Sequence, residues 1–293
     1  MKILITGGSG FLGRIMGEKL SSSHEIISLG RGKSNSISCN LSTSIPEIPK
    51  VDVIVHAAGK AHVIPKSEIE KQEFFSVNLN GTSHLLKGIK ELPQLFIFIS
   101  SVAVYGKEEG EEINEDFPLL GETPYAKSKI EAESLIQKWG EEKKVPVVIL
   151  RLPLLIGPNP PGNLGAIIKS VKKGYYFRLG DGKAKKSMVL ASDVAFLIPT
   201  LLNKTGVYNL TDGVNPSLAE LDQKIASHFG KSVKSFPEKL LYSLAKIGDA
   251  FSFFPLNSYR VNKLALTLTF SDQKARKQLN WNPKPVLDHL FED

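Results

Sequence analysis

The sequence predicts an α/β chain organised around a parallel β-sheet with helices on both faces. Three observations carry that prediction. Short apolar runs rich in β-formers alternate with segments of helical spacing through the first half of the chain. Those runs are apolar at successive positions rather than alternate ones, as strands covered on both faces require. A glycine-rich octet stands between the first run and the first helical segment, where a tight turn from strand into helix belongs.

Taken in order, strands are expected over 2–6, 25–29, 51–56, 95–100 and 145–150. Helices are expected over 11–20 and near 67–90 and 124–144. The pattern changes after Arg151. Pro153, Gly157, Pro158, Pro160, Pro161, Gly162 and Gly165 crowd one stretch, and short helices and isolated strands follow. A chain of 293 residues suits about two units. The expected division is 1–155 and 156–293, with the chain returning to the first unit in places. No repeat of fixed period interrupts this reading.

Composition narrows the function classes. Hydrophobic residues make up 42% and charged residues 23%, which excludes disorder, collagen-like repeats and a membrane channel. The single cysteine, Cys39, excludes an intramolecular disulfide and a cysteine-built metal site, and it fits a reducing cytoplasm. The first apolar run stops at Gly7, so no secretory signal is expected. The stretch 240–256 is broken by Lys246, Gly248, Asp249 and Pro255, so it reads as a packed helix and not a membrane span. Lysine and arginine exceed aspartate and glutamate by 37 to 30. An excess of +7 suits nucleic acid, an anionic surface or a phosphorylated substrate.

The octet Thr6-Gly7-Gly8-Ser9-Gly10-Phe11-Leu12-Gly13 selects among these. Glycines at 7, 10 and 13 let backbone approach a pyrophosphate, and the following helix aims free N–H groups and a positive dipole end at it. With this loop the chain resembles the extended branch of the short-chain dehydrogenase/reductase superfamily, the NAD(P)-dependent nucleotide-sugar epimerases, dehydratases and ketoreductases. The resemblance implies a Rossmann-like doubly wound sheet over 1–155 that binds a dinucleotide, and a smaller α/β substrate-binding region over 156–293. It also implies cofactor contacts from Gly7, Gly10, Phe11, Leu12, Gly13, Arg31, Asn40, Leu41, Ala57, Ala58, Gly59, Asn78 and Pro153. Asn78 lies in Val77-Asn78-Leu79-Asn80-Gly81-Thr82, which resembles the family's Asn-x-x-Gly-Thr helix.

The family's Tyr-x-x-x-Lys signature occurs three times, at Tyr125–Lys129, Tyr242–Lys246 and Tyr259–Lys263. Context selects the first. It alone lies in the dinucleotide half and follows Ser100-Ser101-Val102-Ala103-Val104-Tyr105-Gly106, which resembles the family's serine motif. Residues four apart share a helix face, so Lys129 can hold ribose hydroxyls and favour the Tyr125 phenolate. The resemblance makes Tyr125 the acid–base and Ser101 the hydroxyl that bonds the same sugar oxygen, with Tyr125 and Lys129 also touching cofactor. His56 reads as a strand-end packing residue. No histidine spacing suggests zinc, and no metal is expected.

In the second half, Arg151 to Pro158 resembles the family's crossover near the nicotinamide, and Asn163-Leu164 resembles a diphosphate-contacting pair. Lys186, with Asp193 seven residues on, occupies the place of a basic substrate residue, and Arg260 that of a second diphosphate-binding arginine. Leu154 departs from the 4-epimerase pattern, which carries Asn there. Val102-Ala103 stand where the dehydratase variant has Asp-Glu. An NAD-selective site ends its second strand on an acid. Here Gly30 falls at that place, Arg31 is set to meet a 2′-phosphate, and Lys33 is a helper. The expected function is reduction of a 4-keto nucleotide sugar, UDP-linked first, with NADP as cofactor and NAD as the alternative. C4 epimerisation is the alternative reaction, and a dinucleotide-sensing binding protein is the alternative class. No nucleic-acid partner is expected, since Tyr175-Tyr176-Phe177 beside lysines is a faint signal. A cytoplasmic homodimer completes the expectation.

Overall fold

The computed structural model describes residues 1–61, 63–236 and 266–292. Its centre is a seven-stranded sheet in which every neighbouring pair is parallel. The strands are β1 (Lys2–Thr6), β2 (Glu25–Gly30), β3 (Ile37–Ser38), β4 (Val53–His56), β5 (Leu95–Ser101), β7 (Val147–Leu152) and β11 (Gly206–Asn209). Their order is β11-β7-β5-β4-β1-β2-β3. The chain runs outward from β1 through β2 to β3, then returns to the other side of β1 with β4. That reversal opens a crevice beyond the carboxyl ends of β1 and β4, the usual ligand seat of such sheets.

Residues of one strand alternate between two buried faces, which is why the strands are apolar at every position. Ile3 and Ile5 face a core built with α1 (Phe11–Leu20) and a later helix, α6 (Ala191–Leu197). Leu4 faces the opposite core with Leu85, Phe96, Ile136 and Trp139. On that second side a continuous helical segment runs α2 (Glu68–Phe75), a π-turn (Ser76–Asn80) and α3 (Gly81–Gly88). The helical spacing over 67–90 is thus met, but the wide turn in its middle is invisible to periodicity. α4 (Pro124–Lys143) lies beside it; Thr123 accepts from the Ala126 N–H at its start, and Pro124 fills the first turn. Strand β7 begins and ends two residues later than the apolar run suggests, because Val145 already packs in the core ahead of it.

A third apolar cluster gathers Ile156, Leu164, Met188, Leu221, Ile225 and Val286. It joins β8 (Leu154–Ile156) and β10 (Met188–Leu190), a parallel pair, to α5 (Gly162–Lys173) and α7 (Leu218–His228). Ser217 and Glu220 form a reciprocal cap at the start of α7. β9 (Phe177–Leu179) pairs with β12 (Lys234–Phe236), and β6 (Gly110–Ile113) with β13 (Leu268–Phe270). β11, α6 and α8 (Gln273–Leu279) all come from beyond residue 155 and pack on the first sheet and its core. Among the described residues no helix is long and apolar enough to cross a membrane. The segment 240–256 lies outside the described residues.

Candidate active site

The loop after β1 is shaped by its glycines. Gly7 has a left-handed φ of 71°, and a Cβ there would come within 2.9 Å of the Ala58 backbone. A Cβ on Gly13 would lie 2.1 Å from the Gly7 carbonyl oxygen. Only glycine therefore lets α1 start so close to the turn and leaves its first N–H groups open at the crevice. Phe11 is partly buried, and Leu12 and Gly13 are buried on α1.

A buried relay braces the loop. The Thr82 hydroxyl donates to the Asn78 carbonyl, so it accepts from His56 Nε2–H at 2.9 Å. His56 Nδ1 is then the acceptor for the Thr6 hydroxyl at 2.7 Å, and Thr6 in turn accepts from the Ala58 N–H at 3.1 Å. The relay thereby fixes one imidazole tautomer and ties the end of β1, the 57–59 loop and the π-turn together. Burial, then the Lys129 charge, hold His56 down to about 3, so it stays neutral. Between the ordinary value of 6.5 and about 3, the unfolded chain binds a proton that the folded chain refuses. This contribution to stability is complete above 6.5 and is lost as pH falls toward 3. His56→Gln should flatten the acid limb of stability measured by urea unfolding; an unchanged slope would contradict the assignment.

The π-turn aims Asn78 inward. Its Nδ2 donates to Ser128 Oγ at 2.9 Å, and its Oδ1 accepts from the Lys60 N–H at 2.7 Å. Ser128 donates to the Tyr125 carbonyl at 2.8 Å, so Asn78 steadies the first turn of α4. Tyr125 and Ser101 line the same cavity. Burial pushes the Tyr125 phenol up, and the Ser101 hydroxyl pulls it back in part. Spacing alone suggests a phenol lowered by Lys129, and here the structure differs. Lys129 Nζ instead donates to the Ile99 carbonyl at 2.9 Å and lies 4.5 Å from the centre of the Phe98 ring. Burial brings its ammonium down to about 8, opposed by the Glu133 carboxylate. A Cβ on Gly59 would meet Lys129 Nζ at 3.3 Å and Asn78 Oδ1 at 3.2 Å, so both polar groups converge on a glycine at the crevice. Ser100 turns the other way, onto the buried Glu133 carboxylate.

The cavity beyond Tyr125 encloses about 680 Å³ and also takes in Pro153, Asn163, Leu164 and Lys186. Lys186 Nζ donates to the Leu266 carbonyl at 2.6 Å. Asp193 stands in the first turn of α6 and accepts from the Lys284 N–H, so it caps the closing segment. Asn40 is exposed and closes its own turn on Ser42, and Leu41 is buried against Gly81. Arg31 is exposed just past β2. Ala57 and Ala58 follow β4, against the glycine loop after β1. Arg260, Tyr242 and Tyr259 lie outside the described residues. Sequence reasoning missed Thr6, Thr82, Ser128 and Glu133, whose partners stand 18 to 50 residues away. Among the described residues no cluster of three or more His, Cys, Asp or Glu side chains could hold a metal.

The chain is 29% identical over 313 residues to the UDP-glucose 4-epimerase of Vibrio cholerae, covering 99% of this chain and 93% of that protein. It is 28% identical over 243 residues to the GDP-6-deoxy-D-mannose reductase of Pseudomonas aeruginosa, covering 77% and 79%. The fold is similar to that of the Pseudomonas aeruginosa protein RMD complexed with NADPH, with a TM-score of 0.76, 21% identity and coverage of 99% and 96%. Residues 3–211 match the profile of the NAD dependent epimerase/dehydratase family. With the glycine cradle, the Tyr125–Lys129 helix and this match spanning most of the chain, the protein belongs to that family of nucleotide-sugar enzymes.

Proposed function

We propose that the protein reduces a 4-keto nucleotide sugar, UDP-linked, with NADP as cofactor. The observation that carries the reading is that Ser101 and Tyr125 line the wall of one cavity of about 680 Å³, with Lys129 one helical turn from Tyr125. The bound dinucleotide supplies the two-electron partner for the sugar carbonyl carbon. The chain supplies the rest. Tyr125 gives its phenolic proton to the carbonyl oxygen, while Ser101 bonds the same oxygen and stabilises charge that gathers there. Gly7, Gly10 and Gly13 would open the backbone to the pyrophosphate, and Asn78, Lys129 and Gly59, which converge at the crevice, would bound the rest of the cofactor. Asn163, Leu164 and Lys186 line the same cavity and would meet the nucleotide diphosphate.

Two local features favour reduction. Val102 and Ala103 line the cavity beside Ser101, so no acid–base pair for dehydration stands there. Gly30-Arg31 at the end of β2 offers a cation and no carboxylate to the ribose. C4 epimerisation is the second reading, supported by the 4-epimerase relative that matches 99% of the chain. Mixing the protein with NADPH and a UDP-4-keto-6-deoxy sugar should consume NADPH stoichiometrically, read at the nicotinamide absorbance band. Formation of an epimer with no net NADPH loss would overturn reduction.

A further inference from the structure

The end of β2 holds a residue whose placement goes beyond the Arg31 reading. The side chain of Asn35 sits between two glycines. A Cβ added to Gly30 would lie 3.0 Å from Asn35 Nδ2 and 3.1 Å from its Oδ1. A Cβ added to Gly8, in the phosphate loop, would lie 3.2 Å from the same Oδ1 and 2.8 Å from Ser28 Cβ. The amide thus fills the gap between the cradle and the strand end. A Rossmann-type sheet places there the carboxylate that binds both free ribose hydroxyls.

Asn35 is held in that gap. Its Nδ2 donates to the Gly32 carbonyl at 2.8 Å, and its own N–H donates to the same oxygen at 3.1 Å. The turn is clamped to β2 from both sides, because the Ser36 N–H donates to Ser28 Oγ at 2.9 Å and the Ser28 N–H to Ser36 Oγ at 3.2 Å. The turn also carries Arg31 and Lys33, both exposed and neither in an ion pair among the described residues. No Asp or Glu occurs between Glu25 and Glu47. A neutral, filled seat beside two unpaired cations suits a phosphate and not a pair of hydroxyls.

We infer that Asn35 selects the 2′-phosphorylated dinucleotide: its uncharged amide occupies the carboxylate seat between Gly8 and Gly30 and holds the turn that presents Arg31 and Lys33. The inference rests on the NADP-dependent reading above. It is tested by dissociation constants for NADPH and NADH, read from nicotinamide fluorescence on the full chain, with thermal unfolding as the check on folding. Wild type binds NADPH more tightly. Asn35→Asp, nearly isosteric, sets a carboxylate against the 2′-phosphate and should weaken NADPH by about 30-fold while NADH holds or tightens. Gly30→Asp alone should weaken both, because its carboxylate and Asn35 compete for one space. Adding Asn35→Ala to Gly30→Asp should recover NADH.

An NADPH-to-NADH ratio in Asn35→Asp within about threefold of wild type, well short of a tenfold step, overturns the inference and leaves the reductase reading standing. So does a gain of NADH binding by Gly30→Asp alone. Wild type that binds neither dinucleotide at millimolar concentration, or both equally, overturns the reading on which the inference rests and the inference with it.

Discussion

Tyr125→Phe should bind NADPH as wild type does and lose turnover by about 100-fold or more. The phenyl ring keeps its edge contact with Phe74, whose centroid lies 6.2 Å away, so the first turn of α4 has no reason to move. Only the hydroxyl, which shares the cavity wall with Ser101, is removed. Tyr242→Phe and Tyr259→Phe share the Tyr-x-x-x-Lys spacing and should leave turnover nearly intact. The pH profile gives a second readout. Lys129 is held down to about 8 by burial, so kcat/KM of the wild type should fall as pH rises through that value and the ammonium is lost. Near-normal turnover in Tyr125→Phe would remove the acid–base assignment, whatever the cofactor affinity.

What was legible in the sequence is what the chain encodes locally. The glycine octet, the apolar runs of β1, β2, β4 and β5, and the Tyr125–Lys129 pair each depend on neighbours within one strand or one helical turn. The four strands, and the helix that carries Tyr125 and Lys129, stand where the residues imply. β11 was not legible, because four residues after a turn carry no signal that they pair with β7 from across the chain. The π-turn was hidden for a different reason. One extra residue per turn leaves the apolar content of 67–90 unchanged, yet it directs Asn78 at Ser128. The His56 relay joins residues 50 and 26 positions apart, and none of its three side chains is unusual where it stands. Asn35 looks like an ordinary turn residue until Gly8 and Gly30 are brought to either side of it.

The largest expected loss of stability comes from a pair that helical spacing could not join. Glu133 on α4 is 2% exposed and Arg151 on β7 is 5% exposed. The guanidinium donates to both carboxylate oxygens, from Nε at 3.2 Å and Nη2 at 2.7 Å. Its Nη1 donates to the Tyr105 hydroxyl at 3.0 Å, which donates onward to Asn209 Oδ1 at 2.7 Å on β11. The network therefore ties α4, two sheet strands and the turn after Ser101 into one unit. Removing either charged partner strands the other in the interior, so Glu133→Leu and Arg151→Met should each cost about 3–5 kcal/mol in denaturant unfolding. The double variant should recover much of that loss, since neither charge remains to be buried. It should not recover catalysis at alkaline pH. Glu133 lies one turn beyond Lys129 and is the charge that holds its ammonium up against burial. Without that carboxylate the proton leaves Lys129 at lower pH, and the alkaline limb of kcat/KM should move below about 8 even in the restabilised double variant. An alkaline limb that stays in place would reduce Glu133 to a structural partner of Arg151 alone.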